Sequence, residues 1–180
     1  MHDYRYAGDA DRLRRPERLA LLEVDRVVNL SMKGIEPANV LDVGTGTGIF
    51  AEAFAARGAG ISGIDPNPQL LNRAIALMPE GKFLSGVVED LPFEDKSFDL
   101  VFLGHVLHES DDRMKALSEC ARCARKRVAV LEWPYTAEEI GPPIEHRLRI
   151  EEILEPSRSL PFTSIDTIKL SHMVLVRFNF

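Results

Sequence analysis

The stretch VLDVGTGTGIF, Val40 to Phe50, decides the fold of this chain. Its apolar beginning predicts a buried strand, and its three alternate glycines predict a tight turn that leads into a helix. Glycine adopts positive φ angles easily and lets a ligand lie directly against main-chain N–H groups. The stretch therefore predicts a strand, a ligand-binding turn and a helix in immediate succession.

Predicted strands and helices alternate along the rest of the chain. The strands are expected at residues 39–43, 61–65, around 83, 98–103 and 127–133, and the helices at 16–31, 50–57, 68–78, 111–124 and 150–155. Residues 164–170 and 172–178 predict two closing strands, which a tight turn at Ser171 makes antiparallel. The alternation indicates an α/β fold, a doubly wound Rossmann-like sheet of seven mostly parallel strands with an antiparallel C-terminal strand and helices on both faces.

Length and composition indicate an ordinary globular domain. The 180 residues predict one domain, divided into an N-terminal helical lid (1–38), a cofactor-binding core (39–134), and a link with closing strands (135–180). A formal net charge of -6 argues against a nonspecific nucleic-acid binder, which needs a basic surface. The chain shows neither a secretory signal nor an apolar stretch that spans a bilayer, so we expect a cytoplasmic protein with its oligomeric state open.

Cys120 and Cys123 form a C-x-x-C pair inside a predicted helix. A zinc site needs two more ligands, and a redox pair usually lies at the start of a helix that follows a strand. We therefore predict two free, half-buried thiols and no metal site.

The glycine turn, residues 44–48, lies where doubly wound sheets bind their ligands, at the carboxyl end of a strand. In the dinucleotide fingerprint the last small residue would fall at Ile49, and Asp42 would repel a pyrophosphate. Asp42 can instead orient the turn or face an ammonium group. Asp65 ends the second strand, where a carboxylate accepts hydrogen bonds from ribose hydroxyls. The pattern therefore predicts a nucleoside ligand with a small zwitterionic arm.

The chain resembles the class I S-adenosylmethionine-dependent methyltransferases, in particular the group that includes ubiquinone and menaquinone methyltransferases. The resemblance rests on VLDVGTGTG, ISGID, VEDLPFEDKSFDLVFLGHVLHE and VAVLEWP in this order, over roughly residues 40–134. It implies S-adenosylmethionine as cofactor, S-adenosylhomocysteine as product, and direct displacement of the methyl group. Only about forty N-terminal residues and a short proline-rich link lie outside the core, whereas members that act on large acceptors often add a cap domain, so we expect a small organic acceptor rather than a protein or nucleic acid.

The resemblance also implies which residues contact the cofactor. Asp42 and the glycine turn would hold the methionine arm, Asp65 the ribose, and the turn around Val88, Glu89 and Leu91 the adenine. The full implied set is Asp42, Gly44, Thr45, Gly46, Gly48, Asp65, Pro66, Val88, Glu89, Leu91, Gly104 and His105.

One departure from the family pattern affects the adenine end. Related sequences usually read G-D-A-E-D-L-P-F, whereas Val87 stands here in place of the acid that meets the adenine amino group. Either Glu89 or backbone atoms bind the adenine amino group instead, or the affinity for the cofactor is reduced. Reduced affinity leaves open a catalytically silent binding protein that acts through a partner. A nicotinamide-dependent oxidoreductase is disfavoured by the glycine spacing and by the lack of a Tyr-x-x-x-Lys pattern.

His105 and His108, at the end of the fourth strand, are the candidate catalytic bases. His108 is equally well suited to brace the loop. His105 is expected to face the substrate, because an imidazole that titrates near neutrality is a poor core filler. Glu132, at the end of the fifth strand, is expected to be a structural or cofactor-side hydrogen-bond acceptor rather than a base.

The acceptor site is expected around residues 133–147. Trp133 and Tyr135 either line it or pack in the core, and packing is favoured. The proline-stiffened segment 141–147 is predicted to pass over the carboxyl edge of the sheet and contact the acceptor, or to begin a solvated helix. The lid is expected to include Tyr4, Tyr6 and the helix from Pro16.

Overall fold

The computed structural model describes residues 10–180, so the predicted lid residues Tyr4 and Tyr6 lie outside it. The strands are β1 (Asn39–Val43), β2 (Gly60–Asp65), β3 (Lys82–Ser85), β4 (Phe98–Gly104), β5 (Ala124–Glu132), β6 (Ser164–Lys169) and β7 (Val174–Asn179). The α-helices are α1 (Ala10–Leu13), α2 (Pro16–Leu21), α3 (Val24–Met32), α4 (Ile49–Ala55), α5 (Pro68–Leu77), α6 (Arg113–Cys123) and α7 (Ile150–Leu154). Short 3-10 helices cover Leu107–Glu109, Ile144–His146 and Glu155–Ser159.

The seven strands form one sheet in the order β3-β2-β1-β4-β5-β7-β6. All neighbours run parallel except β7, which is antiparallel to both β5 and β6. This arrangement confirms the predicted doubly wound sheet with an antiparallel C-terminal strand. The strand order reverses between β1 and β4, and a crevice forms at such a switch point in open α/β sheets.

The central strands β1 and β4 bury both of their faces, whereas the edge strands β3 and β6 are largely exposed. Leu41 and Val101, which are partners in the β1–β4 register, point into one apolar layer with Leu117 of α6. Val40 and Leu100, the preceding pair, point into the other layer with Phe54 of α4. Successive side chains of a strand alternate between faces, so the near-continuous apolar runs of β1 and β4 fill both layers. The two layers fix the strand ends that carry the site.

The helix predicted over residues 16–31 is interrupted. Glu23, between α2 and α3, has a left-handed φ of 45°. Its carboxylate accepts a hydrogen bond of 2.8 Å from the N–H of Ser171, in the β6–β7 turn, and pairs with Arg26 at 2.6 Å. The contact with Ser171, near the other end of the chain, thus stabilises the break between the helices. The apolar periodicity of residues 16–31 does not predict this break.

The helix α6 begins at Arg113 with Asp112 as its N-cap, and Met114 in its first turn is 44% exposed. One prediction for this helix needs correction. The thiols of Cys120 and Cys123 are free and fully buried rather than half-buried. Burial raises the pKa of both thiols, that of Cys123 to about 11, so both stay protonated near neutral pH.

Residues 10–180 lack two kinds of feature. No group of three or more histidine, cysteine, aspartate or glutamate side chains is arranged there to hold a metal ion. None of the helices in the same range is long and apolar enough to cross a membrane.

Candidate active site

A cleft of about 900 Å³ opens at the carboxyl ends of the central strands. Most of the cofactor set expected from the resemblance borders it: Gly44, Thr45, Gly46, Asp65, Pro66, Val88, Glu89, Gly104 and His105. His108 borders it as well. Asp42, Gly48 and Leu91 do not, so any effect they have on a ligand passes through other residues.

The glycine turn follows β1 with positive φ angles at all three glycines, 64° at Gly44, 55° at Gly46 and 83° at Gly48. The N–H of Thr45 donates to the carbonyl of Ile64 at 3.0 Å and ties the turn to β2. A Cβ on Gly44 would lie 2.2 Å from Val106 Cγ2, whereas a Cβ on Gly46 would meet nothing closer than 3.9 Å. Gly46 is therefore required by its backbone angle alone, and the space above it is open.

Asp42 lies beneath the glycine turn. Its Oδ2 accepts a hydrogen bond of 2.7 Å from the hydroxyl of Thr45. Burial raises the pKa of Asp42 to about 7, against the lowering effect of the Thr45 hydroxyl. Of the two roles considered for Asp42, the geometry favours orientation of the turn over contact with a ligand.

Asp65 connects the turns that follow β1 and β2. Its Oδ2 accepts a hydrogen bond of 2.7 Å from the N–H of Gly46, and its Oδ1 accepts one of 2.8 Å from the N–H of Asn67. Burial raises the pKa of Asp65, and the two N–H donors oppose that shift. A carboxylate has about four acceptor positions, so two further hydroxyls can bind to the same group.

The end of the cleft that is expected to hold the adenine is formed by residues after β3. Val87, Val88 and Glu89 border it, but Glu89 Oε1 already accepts 2.7 Å from the N–H of Asp111. Leu91 lies in the apolar core, and its N–H donates a hydrogen bond of 3.0 Å to the carboxylate of Glu119. The structure thus presents an apolar wall of valines here, with a carboxylate held at its edge.

These residues fit a zwitterionic nucleoside such as S-adenosylmethionine. The Asp65 carboxylate has acceptor capacity for a ribose diol, the space above Gly46 is open to a ligand, and the wall at Val87 and Val88 suits a flat base. The remaining part of the cleft, around His105, is left for an acceptor.

His105 directly follows β4 in a left-handed conformation, with φ 62°, and its N–H donates a hydrogen bond of 2.9 Å to the carbonyl of Leu131. Its ring stacks on Trp133 with centroids 5.3 Å apart and an angle of 27° between planes. Burial lowers the pKa of His105 to about 3; the charges of His108 and Arg18 act in the same direction and that of Glu132 acts against them. His105 borders the cleft as a neutral imidazole rather than one that titrates near neutrality.

His108 and Glu132 form a buried pair. His108 Nδ1 lies 2.8 Å from Glu132 Oε2, and the His108 N–H donates 3.2 Å to Glu132 Oε1. Burial lowers the pKa of His108, but the charge and hydrogen bond of Glu132 outweigh it and the net pKa is raised. Burial alone would raise the pKa of Glu132. The charge and hydrogen bonds of His108 together outweigh burial, so the pKa of Glu132 lies below its ordinary value. The pair braces the loop after β4 against the end of β5.

The segment after β5 folds over Trp133. A Cβ on Gly141, at φ +82°, would lie 2.8 Å from the Trp133 ring. The buried guanidinium of Arg147 donates to the carbonyls of Thr136 at 2.7 Å, Pro142 at 2.9 Å and Ile140. Trp133, Gly141 and Pro142 border the cleft, whereas Tyr135 is 41% exposed under the guanidinium of Arg149. The buried hydrogen bonds of Arg147 therefore hold this segment together, and Arg147 does not begin a solvated helix.

Sequence reasoning missed several residues around the cleft. Arg12, Leu13, Arg18 and Leu22 border it from the lid. Arg14 donates 2.7 Å to the carbonyl of Thr47 in the glycine turn and pairs with Glu52 of α4. These contacts join distant segments and leave no local signal. Asn67, which caps α5 ahead of Pro68, had a readable signal in its Asn-Pro pattern.

Sequence comparisons identify relatives of this chain. A family model described as a methyltransferase domain matches residues 41–131. The demethylmenaquinone methyltransferase of Thermotoga maritima is 33% identical over 111 residues, which are 59% of this chain and 48% of the relative. The uncharacterized methyltransferase sll0829 of Synechocystis is 38% identical over 98 residues, 51% of this chain and 46% of the relative. The chain thus spans less than half the length of these relatives.

Solved structures share the fold. A SAM-dependent methyltransferase from Aquifex aeolicus superimposes with a TM-score of 0.76 at 22% identity, over 94% of this chain and 95% of that one. The PH0226 protein from Pyrococcus horikoshii gives the same TM-score at 16% identity, over 93% and 92% of the two chains. The region that the family model matches contains the glycine turn, Asp65 and His105 and amounts to half of the chain, so this protein belongs to the methyltransferase-domain family of class I S-adenosylmethionine-dependent methyltransferases.

Proposed function

We propose that this protein transfers a methyl group from S-adenosylmethionine to a small organic molecule by direct displacement. The observation that carries the proposal is the carboxylate of Asp65, which is hydrogen-bonded to the open glycine turn and borders the same cleft as the buried ring of His105. The name of the Thermotoga relative, a demethylmenaquinone methyltransferase, supports a small organic acceptor.

The proposed cofactor contacts use residues that border the cleft. Asp65 accepts hydrogen bonds from the ribose hydroxyls, the glycine turn lies against the methionine arm, and Val88 packs against the adenine. Pro66 and Gly104 complete the walls of the cleft. Asp42, Gly48 and Leu91 support these contacts from below, because none of them borders the cleft.

When bound, S-adenosylmethionine supplies a methyl group whose bond to a positively charged sulfur breaks, with the electron pair returning to sulfur, as the acceptor's nucleophile bonds to the methyl carbon. The protein's own contribution is alignment and exclusion of water. His105 is the proposed contact to the acceptor, and His108 is a positioning residue that acts through Glu132. We propose that residues 1–38 form the lid, residues 39–134 the cofactor-binding core, and residues 135–180 the link and the closing strands.

Calorimetric titration of the full chain with S-adenosylmethionine, S-adenosylhomocysteine and NAD tests the proposal. We expect micromolar binding of both adenosyl ligands and none of NAD, followed by methyl transfer within a panel of small acceptors. Absence of binding by either adenosyl ligand would overturn the proposal.

A second candidate is a catalytically silent S-adenosylmethionine-binding protein that acts through a partner. The observation in its favour is the valine wall at Val87, beside a Glu89 carboxylate that already accepts a hydrogen bond from Asp111. Cofactor binding without turnover on any acceptor would support this candidate. Restored or increased affinity in Val87→Asp would show that the missing acid is the cause.

A further inference from the structure

The base end of the cleft, Val87 to Glu89, offers mostly apolar surface to a ligand. Val87 is half-buried and Val88 is buried, and both border the cleft after β3. Valine side chains hold the face of a flat base through buried area, but they give no hydrogen bond to the groups on its rim. An exocyclic amino group pressed against valines alone would lose its bonds to water without replacement. A base with such a group therefore needs a polar partner at this end.

Glu89 is a largely buried carboxylate that borders the same end of the cleft. Its Oε1 accepts a hydrogen bond of 2.7 Å from the N–H of Asp111, in the loop after β4. Its Oε2 accepts no hydrogen bond from residues 10–180, and this oxygen is not among the side-chain atoms that are sealed from solvent without a partner. One oxygen thus fixes the orientation of the carboxylate, and the other is available to a ligand.

Nearby carbonyl groups of the same turn already have donors. The carbonyl of Val87 accepts from the N–H of Asp90 at 3.3 Å, and that of Leu91 accepts from the guanidinium of Arg122 at 2.9 Å. A carboxylate only accepts hydrogen bonds, so the free oxygen of Glu89 suits an amino group and opposes a carbonyl oxygen or an unprotonated ring nitrogen. The chemistry of this oxygen therefore selects for a donor on the rim of the base.

We propose that Glu89 determines which base the cofactor carries, by accepting a hydrogen bond from an exocyclic amino group through Oε2. The two valines hold the base by its face, and the carboxylate distinguishes a base with the amino group from one that lacks it. The inference rests on the proposed function, because it names the residue that sets cofactor specificity at that same site.

Two ligands isolate the amino group. S-adenosylhomocysteine and its 6-deamino analogue, in which purine replaces adenine, share the ribose, the amino-acid arm and all ring nitrogens. Calorimetric titration of the full chain with each ligand gives the ratio of their affinities. We expect the parent protein to bind S-adenosylhomocysteine at least about tenfold more tightly, because hydrogen bonds to charged groups are the stronger ones.

Glu89→Gln is the matched variant. Its amide oxygen can still accept from the N–H of Asp111, so its amide nitrogen, a donor, takes the place of Oε2. We expect the ratio of affinities to fall to about threefold or less. Asp90→Asn removes a charge from the neighbouring residue, which is exposed and does not border the cleft, and is expected to keep the ratio of the parent. Circular dichroism shows whether both variants fold.

The parent protein alone can overturn the inference, whether or not Glu89→Gln folds, if its ratio lies below about tenfold. A ratio that stays above about threefold in folded Glu89→Gln, or that falls equally in Asp90→Asn, would also overturn it. The proposed function is read separately. Failure of S-adenosylhomocysteine to bind refutes that function, whereas similar binding of both ligands refutes only the selection by Glu89.

Discussion

Asp65 accepts a hydrogen bond of 2.7 Å from the main-chain N–H of Gly46, which joins the end of β2 to the glycine turn after β1. The same carboxylate accepts from the N–H of Asn67 through its other oxygen. One side chain thus fixes both turns on either side of the cleft and remains able to accept hydroxyl donors. Shape and hydrogen-bonding capacity at the cofactor end depend on this single group.

Asp65→Ala is expected to weaken S-adenosylhomocysteine binding by about a hundredfold or more, because each of the two hydrogen bonds from ribose hydroxyls to this charged group contributes about 1.5–3 kcal/mol. Calorimetry measures the affinity, and circular dichroism shows whether the fold persists. Asp25→Ala, which removes an exposed carboxylate of α3, is the control. Unchanged affinity in a folded Asp65→Ala would contradict the placement of the ribose.

Gly46→Ala and Gly58→Ala form a matched pair. Both glycines have positive φ, 55° and 88°, and a Cβ finds nothing closer than 3.9 Å at Gly46 and nothing within 4 Å at Gly58. Each substitution is expected to cost about 1 kcal/mol of unfolding free energy, since left-handed backbone disfavours a Cβ. Only Gly46→Ala is expected to weaken S-adenosylhomocysteine binding.

Urea denaturation and calorimetry on the two glycine variants check this expectation. Equal losses of affinity in both would indicate a general effect of stability rather than a ligand that approaches the turn. Gly44→Ala is expected to lose more stability than either, because its Cβ would also overlap Val106 at 2.2 Å.

Much of this site is readable from sequence because strand ends and glycine turns leave local patterns. The position of Asp65 at the carboxyl end of a strand and the positive φ angles of the turn are direct consequences of such patterns. The direction of a side chain is harder to predict from sequence. Asp42 and Leu91 are close in sequence to residues that border the cleft, but Asp42 bonds Thr45 beneath the turn and Leu91 points into the core.

Contacts between distant segments account for the remaining differences. The break at Glu23 depends on the N–H of Ser171, a residue 148 positions away. The neutral state of His105 depends chiefly on burial in the assembled fold, which lowers its pKa more than the charges of His108 and Arg18 do. Such features follow from the assembled fold and have no signature in local composition.

Glu132→Gln is expected to destabilise the protein by about 3–5 kcal/mol, the usual cost of removing one partner from a buried ion pair. The pair also gives stability a pH dependence. Because the folded pKa of His108 is raised above its ordinary 6.5, its contribution is complete below 6.5 and is lost as the pH rises through the folded pKa. The lowered pKa of Glu132 adds stability that is lost only as the pH falls below 4.5 towards the folded pKa.

Urea denaturation across this pH range, in the parent protein and in Glu132→Gln, measures both effects. We expect the loss of stability above pH 6.5 to be smaller in the variant, because His108 no longer has a raised pKa. His172, which pairs with Glu138 at the surface, provides the control in Glu138→Gln. An identical pH profile in parent and Glu132→Gln would contradict the assignment to the buried pair.

Arg14→Gln is expected to loosen the lid over the cofactor turn. Arg14, between α1 and α2, donates a hydrogen bond of 2.7 Å to the carbonyl of Thr47 and pairs with Glu52. The guanidinium is partly exposed, so the loss is modest, about 1 kcal/mol, or roughly fivefold faster amide exchange in α2. Hydrogen exchange with S-adenosylhomocysteine bound gives the measurement, with Arg15→Gln as the neighbouring control. Exchange that is equally fast in Arg14→Gln and Arg15→Gln would show that closure of the lid does not depend on this bond.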